Sequence, residues 1–410
     1  MKNVKLFWTT IALFNFCVVV TLGFLLRSKI VFPIPGLDFK NVLDAHWHFA
    51  FSGWVTLAIL SLMVYELLPV ERNTRPIYSW IFAAIFLNSI GMLVAFLLQD
   101  YAFYSLLFSV LFIVTTYVFC FVFFKDLART KPAKAVGIIC TTSLVSLVLS
   151  SIGQIIVVFM LITKSVDVLL FRDAIYTYLH FQYNGFFALG VFALFINLIH
   201  KDLNEKGTRS SLYFAIVISI SILPSLFISY LWHVQNVFVH FIALGSCVLL
   251  IWVLIALYVF LRDIKGEIKN LNSFARTIGL LAVIAFALKT ILQMGTVIPW
   301  LGKLVFGDRA VIIGYLHLVL LGFTTLYLLA HFLQTNILNA QNRLTKKGIL
   351  IFATGVILNE VILMTQGLGN MLWFSSKVYA WLLWAVGIWL FLGAIFIFIS
   401  KMKQIQKTSN

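Results

Sequence analysis

Apolar residues in this chain do not alternate and do not recur every third or fourth position. They run in long blocks with polar punctuation between them. Twelve blocks stand out, at 6–27, 43–69, 77–98, 102–124, 135–162, 174–199, 211–231, 237–261, 275–298, 310–333, 348–367 and 377–400. Each is long enough to cross a hydrocarbon core as a helix, which takes about 20 residues. The loops between them are short, with no linker, low-complexity stretch or soluble domain. The pattern predicts an all-α polytopic membrane domain over residues 1–400 and a short basic tail over 401–410. The first block lacks a small-residue cleavage site, so it reads as a span and not as a removed signal peptide.

Composition agrees. With 62% hydrophobic residues, 11% charged residues and a mean hydropathy of +1.03, the chain is excluded from the soluble globular class. The net charge of +16 does not indicate nucleic acid, because the basic residues sit in short loops between apolar blocks. They concentrate at the N-terminus, in the even-numbered loops and in the tail. That bias predicts both termini in the cytoplasm, with lipid as the immediate partner. Cys17, Cys120, Cys140 and Cys247 all fall in apolar blocks and form no CxxC or CxxCH motif, so neither disulfides nor covalently attached haem are expected.

One motif recurs four times, a histidine followed five residues later by a glycine: His48 with Gly53, His180 with Gly185, His240 with Gly245, and His317 with Gly322. All four copies lie near the beginnings of even-numbered spans, hence at similar predicted depth towards the outer side. An ionisable residue inside a bilayer is costly and points to function. Three of these spans, the second, sixth and tenth, are four apart, as three four-helix arcs about a pseudo-threefold axis would place them. A low-spin haem needs two imidazoles from different helices; His48 and His317 are the expected pair. The alternative is that the histidines bridge helices by hydrogen bonds while the glycines aid packing.

The stretch from His48-Phe-Ala-Phe-Ser-Gly-Trp to Tyr65-Glu-Leu-Leu-Pro69 resembles the second helix of subunit I of haem–copper oxidases, closest to the nitric oxide reductase branch. The segment Gly314-Tyr-Leu-His317-Leu-Val-Leu-Leu-Gly322 resembles the tenth helix of that family. The resemblance implies that His48 and His317 ligate a low-spin haem b. It puts Tyr315 where the family has the ligand of a second, high-spin haem. It implies a copper site for which this chain offers His180, His233 and His240. It also brings in Tyr183 as a catalytic candidate beside Tyr315, reduction of O2 or NO as the reaction, cytochrome c or quinol as electron donor, a small partner subunit, and a bacterial-type inner (cytoplasmic) membrane as the location. The departures are the absence of His-x-His, of His-His and of paired arginines before the last span. Asn184 stands where oxidases have a tyrosine. These departures favour a divergent or non-catalytic member.

Two other readings remain open: a haem–copper protein of the NnrS type linked to nitric oxide stress, and a haem-free proton-coupled transporter or sensor. Lys289 and Glu360, both inside apolar blocks, would serve the transporter as a relay or would form a structural pair. His46 reads as interfacial. His200 and His331 are expected to meet last-turn carbonyls.

Overall fold

The computed structural model describes residues 2–409 except 234, 235, 373 and 375, with the side chains of 2, 3, 303, 304, 408 and 409 also outside the description. The described residues form helices and no strand. Among the described residues, twelve helices are long and apolar enough to cross a membrane. They are α1 (Val4–Val31), α2 (Phe39–Leu67), α3 (Pro76–Gln99), α4 (Phe103–Thr130), α5 (Lys134–Thr163) and α6 (Val168–Ile199), followed by α7 (Glu205–Ser229), α8 (Val237–Asp263), α9 (Ser273–Gly295), α10 (Arg309–Gln334), α11 (Arg343–Met371) and α12 (Val378–Lys407). All twelve apolar blocks are accounted for. Helices overrun the blocks where a polar turn caps them, as at α6, or where a polar end extends past the hydrocarbon, as at α12. Backbone hydrogen bonds do not stop where the lipid does, whereas hydropathy does.

α2, α6 and α10 form the interior. α2 packs along α6 and α6 along α10, and the indole N–H of Trp54 on α2 donates to Thr325 Oγ1 on α10 at 3.1 Å. The other helices surround these three, in neighbouring pairs such as α7 with α8 and α11 with α12. Rings fill the space between α6 and its neighbours: Phe192 lies 4.9 Å from Phe286 and 5.6 Å from Phe323, centroid to centroid.

The inner helices share three features. Each opens on an aspartate whose carboxylate accepts a first-turn N–H: Asp38 from Asn41, Asp167 from Leu170 and Asp308 from Val311. Each carries a histidine about two to four turns later. At or just after that histidine each widens into π-helix, over Ala50–Thr56, His180–Phe187 and Leu318–Thr325. π-Helix is rare and tends to occur at functional sites. The fourth copy of the motif does not belong with these. α8 continues through His240 as ordinary α-helix, and a Cβ on Gly245 would meet nothing, whereas one on Gly185 would lie 2.3 Å from Ser146 Cβ and one on Gly322 3.2 Å from Ala285 Cβ.

The tightest helix approach is at Gly153 on α5, where a Cβ would sit 2.2 Å from the Ala174 carbonyl oxygen of α6. A backbone cannot retreat as a side chain can. Gly153→Ala is expected to cost about 1–3 kcal/mol and to lower the midpoint of thermal unfolding in detergent. Gly245→Ala, with open space around it, should leave that midpoint unchanged.

Candidate functional site: the histidine ends of the inner helices

His48 and His46 are two positions apart on α2 and therefore face nearly opposite ways. His48 is buried on the α3 side. Its ring is stacked at 4.1 Å on Phe96 and at 3.5 Å on Trp47, and Nε2 lies 3.3 Å from the Tyr101 hydroxyl. His46 faces α1. Its Nδ1 lies 3.1 Å from the Val19 carbonyl oxygen, a contact that requires Nδ1 to carry the proton and leaves the Nε2 lone pair free. A Cβ on Gly23 would come within 3.2 Å of the His46 ring, so the glycine makes room for the imidazole.

His317, on α10, lies within electrostatic reach of His46 and Arg27. Its Nδ1 is buried and has no hydrogen-bond partner among the described residues. His46 therefore faces the region of His317, whereas His48, the partner expected from the sequence, is turned towards α3. Glu360, on α11, lies close to Gly314, one turn before His317. A Cβ there would be 4.0 Å from a Glu360 carboxylate oxygen, and Asn359 Nδ2 donates to the other oxygen at 3.1 Å. Arg27 couples to Glu360 and to Arg309. His46, His317, Arg27, Arg309 and Glu360 thus lie in one region, where α1, α2, α10 and α11 meet.

The second cluster lies between α6 and α9. His180 is fully buried, and both its nitrogens are engaged. Nε2 is 2.8 Å from the Ile222 carbonyl oxygen on α7, and Nδ1 is 3.1 Å from Asn184 Nδ2. The carbonyl acceptor makes Nε2 the donor, so Nδ1 accepts from the amide. Asn184 Oδ1 in turn accepts from the Lys289 ammonium at 2.5 Å. Lys289 is only 3% exposed, and its Nζ also lies 4.9 Å from the Phe286 ring centroid. Lys289 and Glu360 therefore have separate partners and do not form a pair. Beside this cluster, Tyr183 and Tyr315 meet edge to face with centroids 5.9 Å apart, and the Tyr315 hydroxyl donates to Gln293 Oε1 at 3.4 Å.

The proposed three-histidine metal site does not assemble. His180 is engaged as above. His233 Nε2 lies 3.4 Å from Asp173 Oδ2, and His240 Nδ1 is 3.1 Å from the Asn236 carbonyl oxygen one turn back. Among the described residues no group of three or more His, Cys, Asp or Glu side chains is arranged to hold a metal ion. The reason is placement: His233 lies in the α7–α8 turn and His240 in the first turn of α8, both part-exposed, whereas His180 is buried inside α6.

At the opposite end of the bundle is a network the sequence reading missed. Glu66, near the end of α2, accepts from Lys5 at 2.7 Å and pairs with His331 Nε2 at 2.8 Å, while His331 Nδ1 lies 3.2 Å from the Tyr327 hydroxyl. His331 is thus a member of a buried chain and not a helix-end cap. His200 does meet a last-turn carbonyl, that of Asn197, at 2.7 Å. The signal for the network was available in Glu66, an acid inside an apolar block.

Asn184→Leu removes at once the acceptor of Lys289 and the donor to His180. Stranding a buried cation costs on the order of 3–5 kcal/mol, so a large fall in the unfolding midpoint is expected. Adding Lys289→Met should recover most of it, and a double-mutant cycle of unfolding midpoints measures the coupling. No protein-family model matches this chain, and no curated protein is similar to it at a significant level.

Proposed function

We propose that this chain is a haem-binding membrane redox protein with haem–copper-oxidase-like architecture, in which His46 and His317 hold one low-spin haem b. The observations that carry the reading are the buried, unbonded Nδ1 of His317 and the lone pair that the bond to Val19 leaves on His46 Nε2, on helices α2 and α10 that are joined by a hydrogen bond. A buried polar atom without a partner costs roughly 1–3 kcal/mol, and an imidazole that ligates iron through one nitrogen commonly has the other held by a neighbour. His46 meets that condition through Val19. Arg27 and Arg309 supply the positive charge that carboxylate side arms of a haem require. When bound, such a haem supplies one-electron exchange at a potential set by its ligands and surroundings.

Reduction of O2 or NO is less well supported than electron transfer or sensing. A metal beside His180 would have to sit near the Lys289 ammonium, and like charge repels it. The contact between Tyr183 and Tyr315, at 5.9 Å, leaves no room for a macrocycle between those rings. Of the two donor types, a quinol is favoured by an apolar cavity of about 320 Å³ among α6, α8, α9 and α10, whose wall includes Tyr327 and His331. The NnrS-type reading shares the haem and differs in requiring copper.

The buried Lys289 gives the haem-free transporter its one supporting observation. Optical spectroscopy on purified protein separates the readings. A reduced-minus-oxidised spectrum with low-spin haem bands is expected, lost in His46→Ala and in His317→Ala and retained in His48→Ala. Iron-free, colourless wild-type protein of unaltered stability would overturn the haem reading in favour of the transporter. Stoichiometric copper would restore the binuclear one.

A further inference from the structure

We propose that the cavity between the end of α2, the start of α3 and the end of α4 is a binding site for the phosphodiester headgroup of an anionic phospholipid. It measures about 580 Å³ and is lined by Pro69, Glu71, Arg72, Arg75, Lys125, Arg129 and Thr130.

The site is built from within. Asp126, on α4, is fully buried. It accepts from Arg72 at 3.1 Å, from Arg75 at 2.6 Å and from the Tyr78 hydroxyl at 2.8 Å. The carboxylate thereby fixes two guanidiniums at the cavity. Each is recorded giving one N–H to Asp126, out of the five an arginine carries. Lys125 and Arg129, on the same face of α4, are exposed, and neither has an ion pair among the described residues. Four cations against Glu71 and Asp126 leave a net charge of two positives around the cavity.

The backbone adds to this. α3 begins here, on Pro76, and its N-cap Arg75 supplies no side-chain acceptor to the first turn. The start of a long helix favours an anion through its dipole.

The surroundings select a lipid over a soluble anion. Trp80, one turn into α3, is 74% exposed, and Phe121, one turn before Lys125 on α4, is 73% exposed. Both are apolar surface of membrane-crossing helices, where acyl chains lie. The charge bias of the loops assigns this end of the bundle to the cytoplasmic leaflet, whose anionic lipids attract basic segments and whose headgroups bind in basic pockets between helices.

The test is a lipid titration of the purified full-length protein followed by its thermal unfolding midpoint. Phosphatidylglycerol should raise the midpoint saturably, and phosphatidylcholine should not. Lys125→Gln with Arg129→Gln leaves the Asp126 cluster intact and should shift the titration roughly 30-fold to higher phosphatidylglycerol, at about one kilocalorie per mole for each cation. Arg129→Glu alone should act in the same direction. Lys346→Gln with Lys347→Gln, an equal charge loss elsewhere at this end, should leave the titration unchanged. The proposal is overturned if inorganic phosphate in phosphatidylcholine reproduces the effect, if the Lys125/Arg129 variant titrates like the wild type, or if the Lys346/Lys347 variant weakens binding as much.

Discussion

A polar side chain buried among helices in hydrocarbon must find its partner inside the protein, because no water is there to supply one. That constraint organises this bundle. The polar groups at the histidine ends of α2, α6 and α10 are tied to particular backbone carbonyls and amides: His46 to Val19, His180 to Ile222, Asn184 to both His180 and Lys289. The ties to Val19, Ile222 and Lys289 each join an inner helix to a different neighbour, so together they fix the relative rotation of α1, α2, α6, α7 and α9. Apolar packing alone would specify this weakly, since lipid competes equally for an apolar face. Against that background the unbonded Nδ1 of His317, like Asp44 Oδ2 and Gln182 Oε1 at the same helix ends, calls for a physical explanation.

The π-helical segments belong to the same account. A π turn widens the helix and shifts the side chains that follow it relative to an unbroken α-helix. In α2 the widening comes directly after His46 and His48, in α6 it begins at His180, and in α10 it begins one residue after His317. The helix on either side of each segment can then satisfy separate packing demands. On the histidine side these are the polar clusters. On the other side they are the aromatic core and the Lys5, Glu66, His331 and Tyr327 chain. Gly185 and Gly322 lie inside these segments and let α5 and α9 approach.

Much of the candidate site was legible from the histidines and glycines, though not their pairing. The motif search found His180 and His317 and pointed to α2 as the partner helix through His48, whereas the structure turns His46 towards the region of His317 and His48 towards α3. Spacing places His46 and His48 on opposite faces, and nothing in one sequence says which face turns towards α10. That depends on Gly23, a residue on another helix whose missing side chain admits the His46 ring. Arg27 was likewise unreadable, since it becomes a neighbour of His317 only once α1 is docked. The aspartate caps before each inner helix were visible in the sequence and would have separated His240 from the other three, because α8 opens on Asn236.

The sequence by itself determined the twelve spans and their all-helical character. Both follow from local quantities, the length of apolar blocks and the cost of an unpaired backbone in lipid. It also determined that Lys289, Glu66 and Glu360 would need partners, because a charge in an apolar block is costly wherever it lies. The tertiary structure alone decided who those partners are: an amide for Lys289, a lysine and an imidazole for Glu66, and an asparagine with an arginine nearby for Glu360. Partner choice is set by the azimuth of each helix about its own axis. That angle comes from contacts between residues far apart in the chain, of which a linear pattern of hydropathy carries no record.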